Sequence, residues 1–267
     1  MLPSIPPDIP SWWYFLCVGA SVLVVGIAKA GFGGGIGILA LPLMATVMPA
    51  RHMMGIMLPL LIAADVLSNA HYLREYEWAL LRWLLAGAVA GVAVGSAALW
   101  SLQQIGEQTF QTVLGLSIGL VCLLVVGLQA YRLTGRSVPA LQVGPGAGLG
   151  TGFAAGTVST ISHSAGPIVA LYVLQANLPK RRVMGTLLMY FLLGNLTKVP
   201  SFVALGLINR RTLLDSIWFI PLVPLGTLAG AWMNHRMPER PFAIVMYGLA
   251  ALTALNMVLK AVGLPAL

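Results

Sequence analysis

The sequence predicts an all-α integral membrane protein built from two inverted-topology repeats, each a broken pair of short helices followed by three transmembrane helices. Three observations predict it. The composition is too apolar for a soluble domain, two apolar regions are interrupted by glycine and hydroxyl clusters, and the two halves agree in a 130-residue register.

Hydrophobic residues make up 58% of the 267 and charged residues 8%, where soluble domains carry about 25% charged. Mean hydropathy is +0.90. The net charge of +8 does not point to nucleic acid, because the basic residues fall mainly in short loops between apolar segments, the pattern that orients membrane proteins. The opening MLPSIPPDIPSWWYFL contains no Lys or Arg and so lacks the basic n-region of a cleaved signal peptide. Insertion is expected to rely on the first hydrophobic segment itself. Cys17 and Cys122 both lie in apolar runs, where a thiol behaves as a small hydrophobe, and they read as packing residues.

A stretch of about 20 apolar residues fits the hydrocarbon core. Six such spans are plain, at residues 53–73, 78–100, 108–131, 183–206, 213–234 and 242–262. The remaining regions, 12–49 and 143–177, are each too long for one span. GFGGGIG (31–37) interrupts the first and GFAAGTVSTISHSAG (152–166) the second, so each reads as two shorter helices joined by a break.

Shifting by 130 residues aligns ILALPLMATVMPARHMMGIMLPLL (38–61) with IVALYVLQANLPKRRVMGTLLMYF (168–191), with Pro49/Pro179, Arg51/Arg181, Met54/Met184 and Gly55/Gly185 in register. A looser register of 135 matches Trp83, Gly91 and Gly95 to Trp218, Gly226 and Gly230. We therefore expect repeats at 1–137 and 138–267 forming one integrated membrane domain. A break pair plus three spans gives each half an odd number of crossings, which inserts the second half upside down. That topology places Arg74, Arg132, Arg136, Lys180, Arg181, Arg182, Arg236 and Arg240 on one side and Arg51, Arg210, Arg211 and Lys260 on the other. The richer side is expected to be cytoplasmic, with both termini outside.

Glycines four apart in GAVAGVAVGSA (87–97) and GTLAGA (226–231) suit close helix packing. Gly33, Gly34 and Gly35 are consecutive and point around a helix, which favours unwinding. Unwound backbone at membrane depth lines a cavity or is buried in protein, and the N–H groups it frees at the next helix favour an anion. The second break offers side chains instead: Ser159, Thr160, Ser162, His163 and Ser164 precede Gly166-Pro167, where Pro suits the first turn of a new helix. Ionisable residues within spans are functional candidates. Lys29 lies just before the glycine run and Lys198 within NLTKVPSF; snorkelling to an interface is the alternative for both. Asp65 sits near a span centre, with Asn195 at the equivalent position of the other half. Burial disfavours the charged form of a carboxyl group, which makes Asp65 the proton-coupling candidate, with interhelical hydrogen bonding as its structural alternative. His52 and His71 are expected at interfaces, and Asp215, within one turn of its span's start, in solvent. The substrate-binding candidates are thus Gly33, Gly34, Gly35, Ser162, His163, Ser164, Asn195, Lys198 and Lys29. No catalytic residue, metal ligand or cofactor is expected.

GFGGGIGILALPLM in the first half and HSAGPIVALYVLQANLPKRRVMGT in the second resemble the paired signatures of the sulfite exporter TauE/SafE family, over about residues 12–262. The resemblance implies movement of small sulfur-containing anions or organic acids, such as sulfite and sulfonates. It carries Gly31, Gly33, Gly34, Gly35 and Pro42, with Gly166 and Pro167 of the second copy; His163 and Ser164 stand where the first copy has glycines. The expected function is a secondary transporter, and an exporter by the resemblance, working by alternating access in the cell inner (plasma) membrane. Its partners would be a small anion, the lipid bilayer and protons or another coupling ion. An anion channel also uses broken helices. A membrane-embedded enzyme would need Ser162, His163 and Ser164 as nucleophile and base, without any GxSxG or HExxH motif in support.

Overall fold

The computed structural model describes residues 3, 5–32, 40–70, 72, 74–133, 143–236, 248, 251–252, 254–259 and 261–263. Among these residues the chain is almost wholly α-helical and has no strand. The helices are α1 (Ser11–Phe32), α2 (Ala40–Met44), α3 (Ala50–Asn69), α4 (Trp78–Ile105), α5 (Glu107–Leu133), α6 (Pro145–Ser162), α7 (Gly166–Leu174), α8 (Lys180–Ala204), α9 (Arg210–Phe219) and α10 (Leu222–Arg236). Five, namely α1, α3, α4, α5 and α8, are long and apolar enough to cross a membrane, and α9 with α10 makes a sixth, bent span.

In the region 12–49, α1 (22 residues) and α2 (Ala40–Met44) stand on either side of residues 33–39, which lie outside the described residues. One sequence expectation changes. The span expected at 213–234 is broken, its halves bent by 49° around Ile220 and Pro221, where the proline nitrogen has no hydrogen to offer the helix ladder. The expectation for 143–177 holds. Helix α6 stops at Ser162, and His163 caps it in the left-handed conformation (φ 50°). Helix α7 then begins at Gly166 with Pro167 in its first turn. The span expected at 242–262 lies partly outside the described residues, but 254–259 are helical, and Ala254 and Met257 join the core. Gly33, Gly34, Gly35 and His71 lie outside the described residues.

Two helix pairings dominate, α4 on α6 and α1 on α10. Small residues create both. A Cβ at Gly91 would overlap the Phe153 carbonyl oxygen, and one at Gly226 would overlap that of Leu23. Leu23 and Phe153 stand 130 residues apart, Gly91 and Gly226 stand 135 apart, and the two pairings are counterparts in the register. At the centre α3 packs on α8. Gly185 of α8 sits so close to the Glu75 carbonyl that no side chain would fit. Cys17 and Cys122 are buried in the core, and neither is in a disulfide. Trp12, Trp78, Trp100 and Trp232 are exposed, as are Leu124 and Leu228. An apolar outer face of this kind suits lipid, with tryptophans favoured at its interfaces.

Candidate functional site

Helices α1, α3, α6, α7 and α8 enclose a cavity of about 30 Å³, room for roughly two waters or one small anion. Val25, Ala28, Leu61 and Phe191 supply its apolar wall, while Lys29, Ser159, His163, Ser164 and Asn195 supply the polar one. Gly166 and Pro167 also line it, so the positive, N-terminal end of α7 faces inward.

The charged groups form one buried network. Lys29 is 5% exposed and Asp65 not at all. Lys29 Nζ donates to Asp65 Oδ1 at 2.5 Å, and its ammonium also lies 4.2 Å from the centre of the Phe191 ring. Asn195 Nδ2 donates to the second carboxylate oxygen, Asp65 Oδ2, at 2.6 Å. Asp65 therefore joins α1 and α8 to α3. Neither lysine snorkels to an interface.

Lys198 is fully buried. Its ammonium donates to the Ser159 carbonyl (3.3 Å), to Ser159 Oγ (3.0 Å) and to His163 Nδ1 (3.1 Å). Three hydrogens meet three acceptors, and all three acceptors are neutral. With Lys198 protonated, its amine has only donors, and His163 then accepts at Nδ1 as the neutral tautomer. Its Nε2 is buried with no hydrogen-bond partner among the described residues, and the Met54 backbone lies near the ring. Ser159 Oγ accepts from Lys198, which leaves its own O–H able to donate into the cavity. The charges of Lys29, Asp65 and Lys198 act on one another. With both lysines protonated and Asp65 ionised, the network carries one positive charge in excess. An unpaired buried charge costs several kcal/mol, a cost that a bound anion offsets.

The structure brings together Lys29, His163, Ser164 and Asn195 on the cavity wall, but places other candidates elsewhere. Lys198 and Asp65 stand behind the wall, acting through Ser159 and His163 in one case and through Lys29 in the other. Ser162 is absent from the wall: it bonds back to the Val158 carbonyl at 2.9 Å. Ser164 Oγ turns to the Ser162 carbonyl at 2.7 Å. Gly33, Gly34 and Gly35 lie outside the described residues. Asp215 is not solvated; it is 3% exposed and meets His52 Nε2 at 2.8 Å, tying α9 to α3. Sequence reasoning undervalued Ser159 and missed Phe191 and Leu61. The register was the available signal, since it pairs Lys29 with Ser159 and Leu61 with Phe191, as it does Asp65 with Asn195.

Apolar helices that could cross a membrane, closed around an internal cavity whose polar lining is rich in hydrogen-bond donors, define a multi-pass membrane protein with a solute-sized site. Residues 18–257 match the family described as Sulfite exporter TauE/SafE. The chain belongs to that family, one of membrane transporters. No curated protein and no solved structure matches it.

Proposed function

We propose that this chain is a secondary transporter, acting as an exporter, that carries small anions such as sulfite or sulfonates across the cell inner membrane. Its site is the cavity between Lys29 and Ser159. The observation that carries this reading is Lys198, a lysine amine fully buried among neutral groups beside a donor-lined cavity. The anion would take the Lys29 ammonium, the Ser159 hydroxyl and the remaining Asn195 N–H as donors, with Lys198 polarising Ser159 from behind. Gly33, Gly34 and Gly35 would contribute backbone N–H groups at the same place. Two inverted repeats, 1–137 and 138–267, would expose this site to the two sides alternately. The reciprocal pairings of α4 with α6 and α1 with α10 support that arrangement. Asp65 would couple protons to the movement.

Isothermal titration with methanesulfonate and sulfite on folded protein in nanodiscs tests the site. Hydrogen bonds to charged groups contribute about 1.5–3 kcal/mol. Lys198→Ala should therefore weaken binding by roughly 10- to 100-fold, and Lys198→Arg should retain part of it. Gly34→Leu should abolish binding by blocking backbone approach. Wild-type affinity in Lys198→Ala and Gly34→Leu would move the site elsewhere. Saturable counterflow of labelled anion in proteoliposomes separates this carrier from a channel.

A further inference from the structure

The 130-residue register gives the protein two matching contacts. Arg51 lies in the first turn of α3 and Arg181 in the first turn of α8, and each reaches the segment that follows the other helix. Arg51 Nη2 donates to the carbonyl of Leu205, which caps α8, at 3.3 Å. Arg181 Nε meets Glu75, the residue 130 positions before Leu205, at 3.4 Å. One turn along, Gly55 lies against the Leu207 carbonyl and Gly185 against that of Glu75, each too close for a side chain.

The two contacts match in place but not in closure. Arg51 also pairs with Glu107 of α5 at 2.6 Å and lies over the Phe110 ring, 5.4 Å from its centre. Gln103 of α4 joins it on the Leu205 carbonyl at 2.9 Å. Arg51 thus ties α3 to α5 and to the end of α8. Arg181 meets its acid at the longer distance, and its side chain is 68% exposed against 33% for Arg51.

The hollows behind the two arginines differ in the same sense. A cavity of about 410 Å³ beside Arg181 reaches Tyr72 and Met184, and on α1 and α3 it reaches Ala30 and Ser68, next to Lys29 and three residues from Asp65. A cavity of about 220 Å³ beside Arg51 is lined by Arg51, Glu107 and Leu207 but by neither Phe202 nor Met54, the counterparts of Tyr72 and Met184. Both counterparts are completely buried, and the Phe202 ring packs on His163 with 5.7 Å between centres. Equivalent positions of the two repeats are therefore hollow beside Arg181 and filled behind Arg51.

We propose that this is a one-sided conformation, shut on the Arg51 face by a latch and a plug. The latch is the Arg51 fork on Glu107 and Leu205, and the plug is the Phe202 ring behind it. Arg181 and Tyr72 are the same two parts on the other face, disengaged here, and they close when the Arg51 latch releases. The inference rests on the reading of the halves as repeats that open alternately, and adds to it the parts that hold each face.

Labelling of single cysteines in nanodiscs, where reagent meets both faces, tests it. Met184→Cys and Met54→Cys are treated with a charged methanethiosulfonate reagent, with the wild-type chain, whose cysteines are buried, as background. A minor conformation holds about 10% of the molecules or less, so Met184→Cys should react about tenfold faster or more. One exposed ion pair shifts an equilibrium by up to about fivefold. Adding Arg51→Gln should therefore speed the labelling of Met54→Cys by about that factor and slow that of Met184→Cys, since one population gains what the other loses. Adding Phe202→Ala as well should widen both changes. A rise at Met54→Cys with no fall at Met184→Cys is local loosening and overturns the proposal. Equal rates in the absence of Arg51→Gln overturn it too, as does an Arg51→Gln change that moves neither rate. Counterflow is read separately: saturable anion exchange without opposite shifts removes the latch and keeps the carrier, and opposite shifts without exchange keep the latch and remove the carrier.

Discussion

Replacing Asp65 by Asn should tighten anion binding. The amide can still accept from Asn195, so the link between α3 and α8 persists while the negative charge disappears. In the wild-type chain the carboxylate lies 2.5 Å from Lys29 Nζ. An anion taken on the other side of that ammonium, at a charge-assisted distance of about 2.8 Å, would sit roughly 5 Å from the carboxylate. At an effective dielectric constant near 20, two like charges about 5 Å apart repel by about 3 kcal/mol. Removing that repulsion should lower the Kd for methanesulfonate by about two powers of ten, read by isothermal titration in chloride-free buffer. Removing one partner of a buried ion pair also costs about 3–5 kcal/mol of stability. Asp65→Asn should therefore unfold at lower temperature without ligand, and added anion should raise its unfolding temperature by more than it raises that of the wild type. In proteoliposomes the variant should bind anion yet lose uptake driven by a pH gradient. An unchanged or weakened Kd would refute the electrostatic account of the cavity, and unchanged proton-driven uptake would reduce Asp65 to a structural hydrogen-bond acceptor.

Two further predictions concern the fold. Gly91→Leu and Gly226→Leu should each lower thermal stability in detergent, by about 1–3 kcal/mol or more, because each new side chain would meet the backbone of the facing helix. Gly127→Leu, where nothing lies within 4 Å, should be tolerated; equal stability in all three would dissociate the glycine stripes from helix packing. Single cysteines at Arg51 and Lys180 should label from opposite faces of intact cells, and labelling from the same face would rule out the inverted topology.

The parts of the fold legible in the sequence were those set by short-range chemistry. The stop at His163 and restart at Gly166-Pro167 followed from small and hydroxyl residues ahead of a proline, and the helix-facing roles of Gly91 and Gly226 from four-residue spacing. The pairing of Lys29 with Asp65 was not legible, because it joins residues 36 positions apart that each looked like an isolated charge. Asp215 looked solvated because its distance from a span end says nothing of α3, which brings His52 against it. Ser162 and Ser164 carried the right chemistry for a site, but bonding to nearby carbonyls consumes their hydroxyl hydrogens, an outcome set by rotamer and not by residue type. The bend between α9 and α10 was missed because hydropathy runs on through Ile220-Pro221 and is blind to a lost ladder bond.

The hydrogen bond from Asn195 to Asp65 has a property that its neighbours lack. It joins two positions that are each other's counterparts across the register, 130 residues apart. Were the two halves to trade conformations, Lys198 on Ser159 would give way to its image, Ser68 on Lys29, and the Lys29–Asp65 pair to Ser159 on Asn195. The Asp65–Asn195 contact is its own image, so it is the one polar link here that such a trade leaves intact. It would serve as an axle, holding α3 and α8 together while the two lysines change partners around it.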